Sequence, residues 1–458
     1  MTYKIFVLAA FLLLINNILF AQKKIYTLED VWQKTLQYPS VSAKKELVEQ
    51  HLLNKKLVQQ QTFPEVHAQA QQSYGSYQTM PGSFFPLLGL YNSSGSNKNG
   101  AAAGSGANLY ASAVLQWNFM QFGRIKKNIE VADAAIQLSK ADQSQEAFKL
   151  QSTATRYYFA ALQSAALLTI LKSDAQRLAD LLDLLKMQSD AGLRPSADTL
   201  LIKSAFLQAK NRINDQEASL ETSLLQLASL TGEDADNISI DTSLYHRFNS
   251  DENFTQNSLQ NHPYLNYLNA AVDYSNAQLE AVKKEVYPSI GLLAGTGIRG
   301  SGIDAAGNVN KNLSAPWNNN VGSYLIGVGV TWNLSSLYQN KTKQKIAGHE
   351  IASAKANYAA SQLQLNTLYA SALASWKQQC QKLKDAQIAF KSSQEAYDLY
   401  TVRYESGLIN LIELLQLQKS LQDAESNYVN AIASYWNELI DLSEAIGKPS
   451  LLLNAIKP

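Results

Sequence analysis

The sequence predicts an α+β membrane protein in which long coiled-coil helices are continuous with a transmembrane β-structure of four strands per protomer. Three observations carry that prediction. The chain holds a tandem internal repeat, four segments alternate apolar and polar residues with period two, and long heptad-patterned stretches are almost free of proline and glycine.

The repeat runs from about residue 39 to 232 and again from about 263 to 447. An offset of 215 carries Trp117-Asn118 onto Trp332-Asn333, Gly192-Leu193 onto Gly407-Leu408 and Gly232 onto Gly447. Upstream, an offset of 224 carries Pro39 onto Pro263 and Pro64 onto Pro288, so the nine-residue difference falls between Pro64 and Trp117, where a loop is free to vary. The expected organisation is a signal peptide at 1–21, a first repeat at 22–232, a linker at 233–262, a second repeat at 263–447 and a tail at 448–458.

At the N-terminus, Lys4 precedes an apolar run from Ile5 to Phe20 that ends in Phe20-Ala21-Gln22, which reads as a secretory signal cleaved after Ala21. The run is short for a spanning helix and no other stretch is long and apolar enough, so spanning falls to strands. Lys and Arg number 39 against 38 Asp and Glu, a balance that argues against nucleic acid as a partner and against a polybasic tether. The single cysteine, Cys380, lies far from the cleavage site, so neither an intrachain disulfide nor N-terminal acylation is expected.

The strands are expected at about 64–78, 108–120, 288–299 and 321–333. Leu109, Ala111, Ala113, Leu115, Trp117 and Phe119 share one parity against Tyr110, Ser112, Gln116 and Asn118; Tyr324, Ile326, Val328, Val330 and Trp332 oppose Ser323, Gly327, Gly329, Thr331 and Asn333. Val66, Ala68, Ala70 and Tyr74, and in the second copy Ile290, Leu292, Ala294 and Ile298, repeat the pattern. One apolar face and one small or polar face suit lipid outside and water inside, although a soluble antiparallel sheet has the same signature. Trp117 and Trp332, at the helix-proximal ends, are expected as interfacial aromatics and favour the membrane reading. The Gly, Ser and Asn-rich segments Thr79 to Asn108 and Gly300 to Asn320 are expected as solvent loops. Four strands cannot close a barrel, and lipid does not tolerate open edges, so oligomerisation follows.

From Arg124 to Ser189 the composition is helical, and a rod of that length would measure about 100 Å at 1.5 Å per residue. Leu168, Leu171, Ala175, Leu178, Leu182 and Leu185 keep 3,4 spacing, as do their counterparts Leu383, Ala386, Phe390, Ser393, Tyr397 and Tyr400. On the return leg Leu414, Leu417, Leu421, Ala424, Tyr428, Ala431 and Tyr435 do the same, which is a coiled-coil seam. Each rod ends at a Gly-Leu turn, with tips at 192–195 and 407–410, and Gly192 and Gly407 suit a left-handed helix terminus. A short helix at about 27–37 is expected to pack partway along the rods.

The string Gly295-Thr-Gly297-Ile-Arg-Gly300 imitates a dinucleotide fingerprint but lacks the following helix and acid; small residues on an inner barrel face account for it better. The five histidines, His51, His67, His246, His262 and His349, lack metal-ligand spacing and are expected in surface or capping roles. No catalytic constellation, metal site or cofactor motif is visible.

The tandem repeat with two strand pairs, two long hairpins and the phrase Tyr404-Glu-Ser-Gly407-Leu-Ile-Asn-Leu-Ile-Glu413 resembles the TolC-like outer-membrane efflux family over essentially the whole mature chain. The resemblance implies a homotrimer whose twelve strands close one barrel in outer-membrane lipid and whose helices continue it as a coiled-coil barrel, a tunnel projecting into the periplasm. It implies a passive exit duct of tripartite efflux or type I secretion, opened at its periplasmic tip by an adaptor protein and fed by an inner-membrane RND or ABC transporter. Carried over by position, Glu413 corresponds to a pore-narrowing acid and Gln416 to a second acid that this chain lacks. Asp198 and Tyr404 correspond to a closing link, whereas Ile409 stands where relatives have a linking arginine. Gly192, Leu193, Arg194, Gly407, Leu408 and Ile409 form the implied adaptor-docking tip. A helix-capping role for Asp198 and Glu413 competes with the gating role. A periplasmic coiled-coil adaptor or structural protein is the alternative, and an enzyme is not expected.

Overall fold

The computed structural model describes residues 24–76, 105–247, 261–303 and 308–456. The expected signal peptide, most of the first solvent loop and residues 77–78 of the first expected strand lie outside these residues.

In chain order the elements are β1 (Lys24–Tyr26), α1 (Leu28–Thr35), α2 (Pro39–Gln60), β2 (Glu65–Ser76), β3 (Ser105–Met120), α3 (Arg124–Asp190) and α4 (Ser196–Thr231). There follow a 3₁₀ turn (Ala235–Asn237), β4 (Ile238–Ile240), a second 3₁₀ turn (Thr242–His246), α5 (Pro263–Lys284) and β5 (Ser289–Ser301). The chain continues with α6 (Ala315–Asn318), β6 (Asn320–Thr331), α7 (Ser336–Glu405), α8 (Leu411–Ile446) and α9 (Ser450–Ile456). Contacts divide it into two compact units: 1–49, 137–272 and 353–458 form one, and 50–136 with 273–352 the other.

The second unit holds a four-stranded antiparallel sheet in the order β2-β3-β5-β6, with β2 and β6 at its edges. Its register aligns the four alternations. Val66 pairs with Leu115, Leu115 with Ala294, and Ala294 with Ile326; on the opposite face Gln69 pairs with Ser112, Ser112 with Gly297, and Gly297 with Ser323. Directly paired residues share a face, so one side of the sheet is mainly apolar, and the other gathers most of the polar residues and glycines together with Val114, Leu293, Val321 and Leu325. A register shift between Trp117 and Met120 bends β3 near its end.

The sheet reaches further into the expected loops than the alternation alone suggested. Ser105 pairs with Ser76, and β5 continues to Ser301. Beyond it, Gly302 N–H donates to Ala107 O at 2.7 Å, Ile303 bridges Val309, and α6 precedes β6. The described residues between Gly300 and Asn320 are therefore held on the sheet, with Asn319 Nδ2 donating to Ser301 O and Ile303 O. Gly300 of the fingerprint-like string is a packing glycine, because a Cβ there would collide with the Pro316 carbonyl.

The helical unit has its main core around Trp436, Tyr158, Tyr245, Tyr435 and Leu162. Thr27 and Asp30 form a reciprocal capping box that starts α1, and Trp32 on that helix donates from Nε1 to Thr155 Oγ1 of α3 at 2.9 Å. The inter-repeat segment is not a plain linker: β4 pairs in parallel with β1, Tyr245 Oη donates to Val429 O at 2.7 Å, and Trp436 Nε1 donates to Tyr245 O. Three-residue strands carry too short an alternation to be read from sequence.

On α8 the buried stripe is broader than the predicted seam. Leu414, Leu421 and Tyr435 are buried, but Leu417, Ala424, Tyr428 and Ala431 are only half-buried, while Gln418, Gln422 and Glu425 are buried. Apolar spacing cannot register seam positions that carry polar groups. His262 is buried as well: Tyr264 N–H donates to its Nδ1, so its Nε2 donates to Glu444 O, and burial holds its pKa below the ordinary imidazole value.

Candidate functional site

The two hairpin turns are built alike. Gly192 N–H donates to Ser189 O and Leu193 N–H to Gln188 O; Gly407 N–H donates to Tyr404 O and Leu408 N–H to Arg403 O, all at 2.8 to 2.9 Å. This double closure is a Schellman motif, and it needs the left-handed backbone that Gly192 (φ 71°) and Gly407 (φ 73°) supply. The residue after the glycine in such a motif ordinarily packs back on its helix. Here Leu193 and Leu408 are instead 75% and 74% exposed. Arg194 and Ile409, expected on the same exposed tip, are half-buried, and Ile409 packs against the core behind the turns.

The helices that leave the turns start differently. Pro195 is the N-cap of α4 without a side-chain hydrogen bond, whereas Asn410 caps α8 by accepting from Glu413 N–H at 2.9 Å. Asn410 Nδ2 in turn donates to Glu413 Oε1 at 2.8 Å, so the carboxylate takes part in the cap while remaining exposed. Gln416 is exposed one turn further on.

Behind the turns, Leu178, Leu182, Leu185, Ile202, Leu411 and Leu414 enclose Tyr404, which is 2% exposed. Its Oη has no hydrogen-bond partner, so the expected link to Asp198 is not made within the protomer. Asp198 lies in the first turn of α4 and is half-buried. What reaches Tyr404 is Arg194, whose guanidinium carbon lies 5.1 Å from the ring centre. Burial raises the phenol pKa, and the arginine acts in the opposite sense.

A polar belt that sequence reasoning missed crosses the helices one step back from the tip. Arg177 binds both oxygens of Glu425 at 2.8 and 3.1 Å, and Gln418 Nε2 donates to Asp174 Oδ1 at 2.6 Å, with Asp174 and Glu425 buried. Arg212 reaches Gln422 at 2.9 Å. The available signal was the set of polar residues interrupting an otherwise apolar return helix at Gln418, Gln422 and Glu425.

At the sheet, Trp117 Nε1 donates to Thr62 O at 2.7 Å and Trp332 Nε1 to Val286 O at 2.9 Å. Each indole fixes its polar edge to the backbone just before Pro64 or Pro288 and leaves its ring partly exposed, the amphipathic placement an interface favours. Trp332 itself lies just past the end of β6. Among the described residues no helix is long and apolar enough to cross a membrane.

Comparisons with known proteins agree with this architecture. The chain matches the sequence profile described as outer membrane efflux protein over residues 52–233 and 254–448. Its fold matches the CmeC outer membrane channel of Campylobacter jejuni at 17% identity and a TM-score of 0.71, covering 92% of this chain and 85% of that one. It matches VceC of Vibrio cholerae at 15% identity and 0.69, covering 92% and 96%. For the open state of the MtrE channel of Neisseria gonorrhoeae the values are 17% and 0.69, covering 92% and 89%. A comparison with curated protein sequences gave no match.

Proposed function

This chain belongs to the outer membrane efflux protein family, and on that premise we propose that it is the passive exit duct of a tripartite efflux or type I secretion system. It acts as a homotrimer, with residues 1–21 as the export signal. Its sheet closes with those of two other protomers into one barrel, and its helices form a tunnel into the periplasm. The observation that carries this is the sheet. It has one mainly apolar face and two edge strands, β2 and β6, each 12 residues long, that pair with no further strand among the described residues. On β6, Tyr324, Ile326, Val328 and Val330 are between 68% and 84% exposed, an apolar row that water alone would not sustain on an edge strand. Pairing β2 of one protomer with β6 of the next satisfies both edges and completes the apolar band.

The tip then faces a periplasmic adaptor through Gly192, Leu193, Gly407 and Leu408, with Arg194 and Ile409 behind them. Glu413 and Gln416 line the narrowing at the tip, and an inner-membrane RND or ABC transporter supplies cargo. Fractionation followed by mass determination in detergent tests the reading: a trimer from the outer membrane that conducts in planar bilayers is expected, and a soluble monomer overturns it.

A further inference from the structure

Arg299 on β5 pairs with Tyr110 of β3 and Val321 of β6. That register places it on the face of Ser112, Gly297 and Ser323 and away from Ile298 and Ala111. Among the strand residues of the four-stranded sheet it is the sole lysine or arginine. It is exposed and makes no ion pair among the described residues. Apart from tyrosines, the other titratable side chains of the sheet are Glu65 and His67, on the same face at the opposite end and 3.7 Å from one another. Glu65 shares a row with Gln116 and Leu293, six residues along β5 from Arg299, which is about 20 Å at the rise of a strand. An arginine on the lipid face would be destabilising, so its parity matters.

The geometry points to Arg299 as the charge-selectivity residue of the strand-built section of the duct. One guanidinium from each protomer forms a cationic ring on the wetted wall near the loop end of the strands, and that ring favours anions over cations. The inference rests on the trimeric duct reading. Twelve strands about 4.8 Å apart and tilted about 40° enclose a backbone circle about 24 Å across. Three guanidinium groups carried inward from that circle stand within about one Debye length, about 8 Å at 0.15 M salt, of the axis. Glu65, with His67 beside it, sits too far along the strand to cancel them.

The test is the reversal potential of the full-length channel in planar bilayers under a potassium chloride gradient. Glu413→Gln is present throughout so that the tip carboxylate does not set the reading. Arg299→Glu is expected to lower the chloride-to-potassium permeability ratio by about threefold or more, with Arg299→Gln intermediate. An unchanged ratio overturns the inference and leaves the duct reading standing; absence of conductance in the Arg299 parent overturns both. Should Arg299→Glu fail to assemble, Arg299→Cys in a Cys380→Ala background allows the charge to be set on the folded channel, because Cys380 is the sole cysteine. A cationic membrane-impermeant thiosulfonate then raises the ratio and an anionic one lowers it. No reaction from water overturns the placement of Arg299 in the lumen.

Discussion

The guanidinium of Arg194 lies 5.1 Å from the centre of the Tyr404 ring and so ties the turn of the first helical hairpin to the long helix of the second. Two residues after the second glycine, where the resemblance implies an arginine, this chain has Ile409, and a cation reaches the tyrosine from the other hairpin instead. A cation–π contact of about 1 kcal/mol, repeated in each protomer of the proposed trimer, amounts to on the order of a hundredfold in a concerted tip equilibrium. Arg194→Gln is expected to raise single-channel conductance, whereas Tyr404→Phe keeps the ring and stays near the parent. Equal opening by both variants would assign the tie to a phenol hydrogen bond instead.

Glu413 serves the α8 cap, and its exposure leaves it free to narrow a pore. The two roles separate by substitution. Glu413→Gln can still accept from Asn410 through its amide oxygen while losing the charge, whereas Glu413→Ala loses both the charge and that contact. Higher conductance and weaker divalent-cation block in both variants are expected. Without either change, Glu413 is a cap alone.

Leu193 and Leu408 stand out from turns of the same geometry, where an exposed leucine contributes nothing to the fold. Replacing both with glutamate is expected to abolish crosslinking to the adaptor while leaving trimer yield intact. Undiminished crosslinking refutes this docking surface.

Arg177 holds Glu425 with two hydrogen bonds in a mostly buried setting. Arg177→Met strands Glu425 and Asp174 without their cation and is expected to destabilise the protomer by about 3 kcal/mol. Adding Glu425→Met is expected to recover at least half of that loss. The midpoint of urea unfolding in detergent measures both, and a double variant no more stable than the single would remove the pair from the account.

The sequence by itself determined the repeat, the four strands and their two faces, the long hairpins and the Gly-Leu turns, because each rests on local periodicity or backbone permission. Gly192 and Gly407 were legible as left-handed termini since few other residues adopt that backbone readily. The tertiary structure alone decided which residues meet. Gln418 and Glu425 lie on the buried side of α8 because α3 supplies Asp174 to accept from the amide and Arg177 to neutralise the carboxylate, a fact no apolar pattern encodes. Tyr404 meets Arg194 and not Asp198 because the approach of two hairpins sets that distance, and β4 finds β1 across more than two hundred residues. Arg299 keeps the parity of Gly295 and Gly297, and only its pairing with Tyr110 and Val321 fixed which neighbours share the face on which its charge stands.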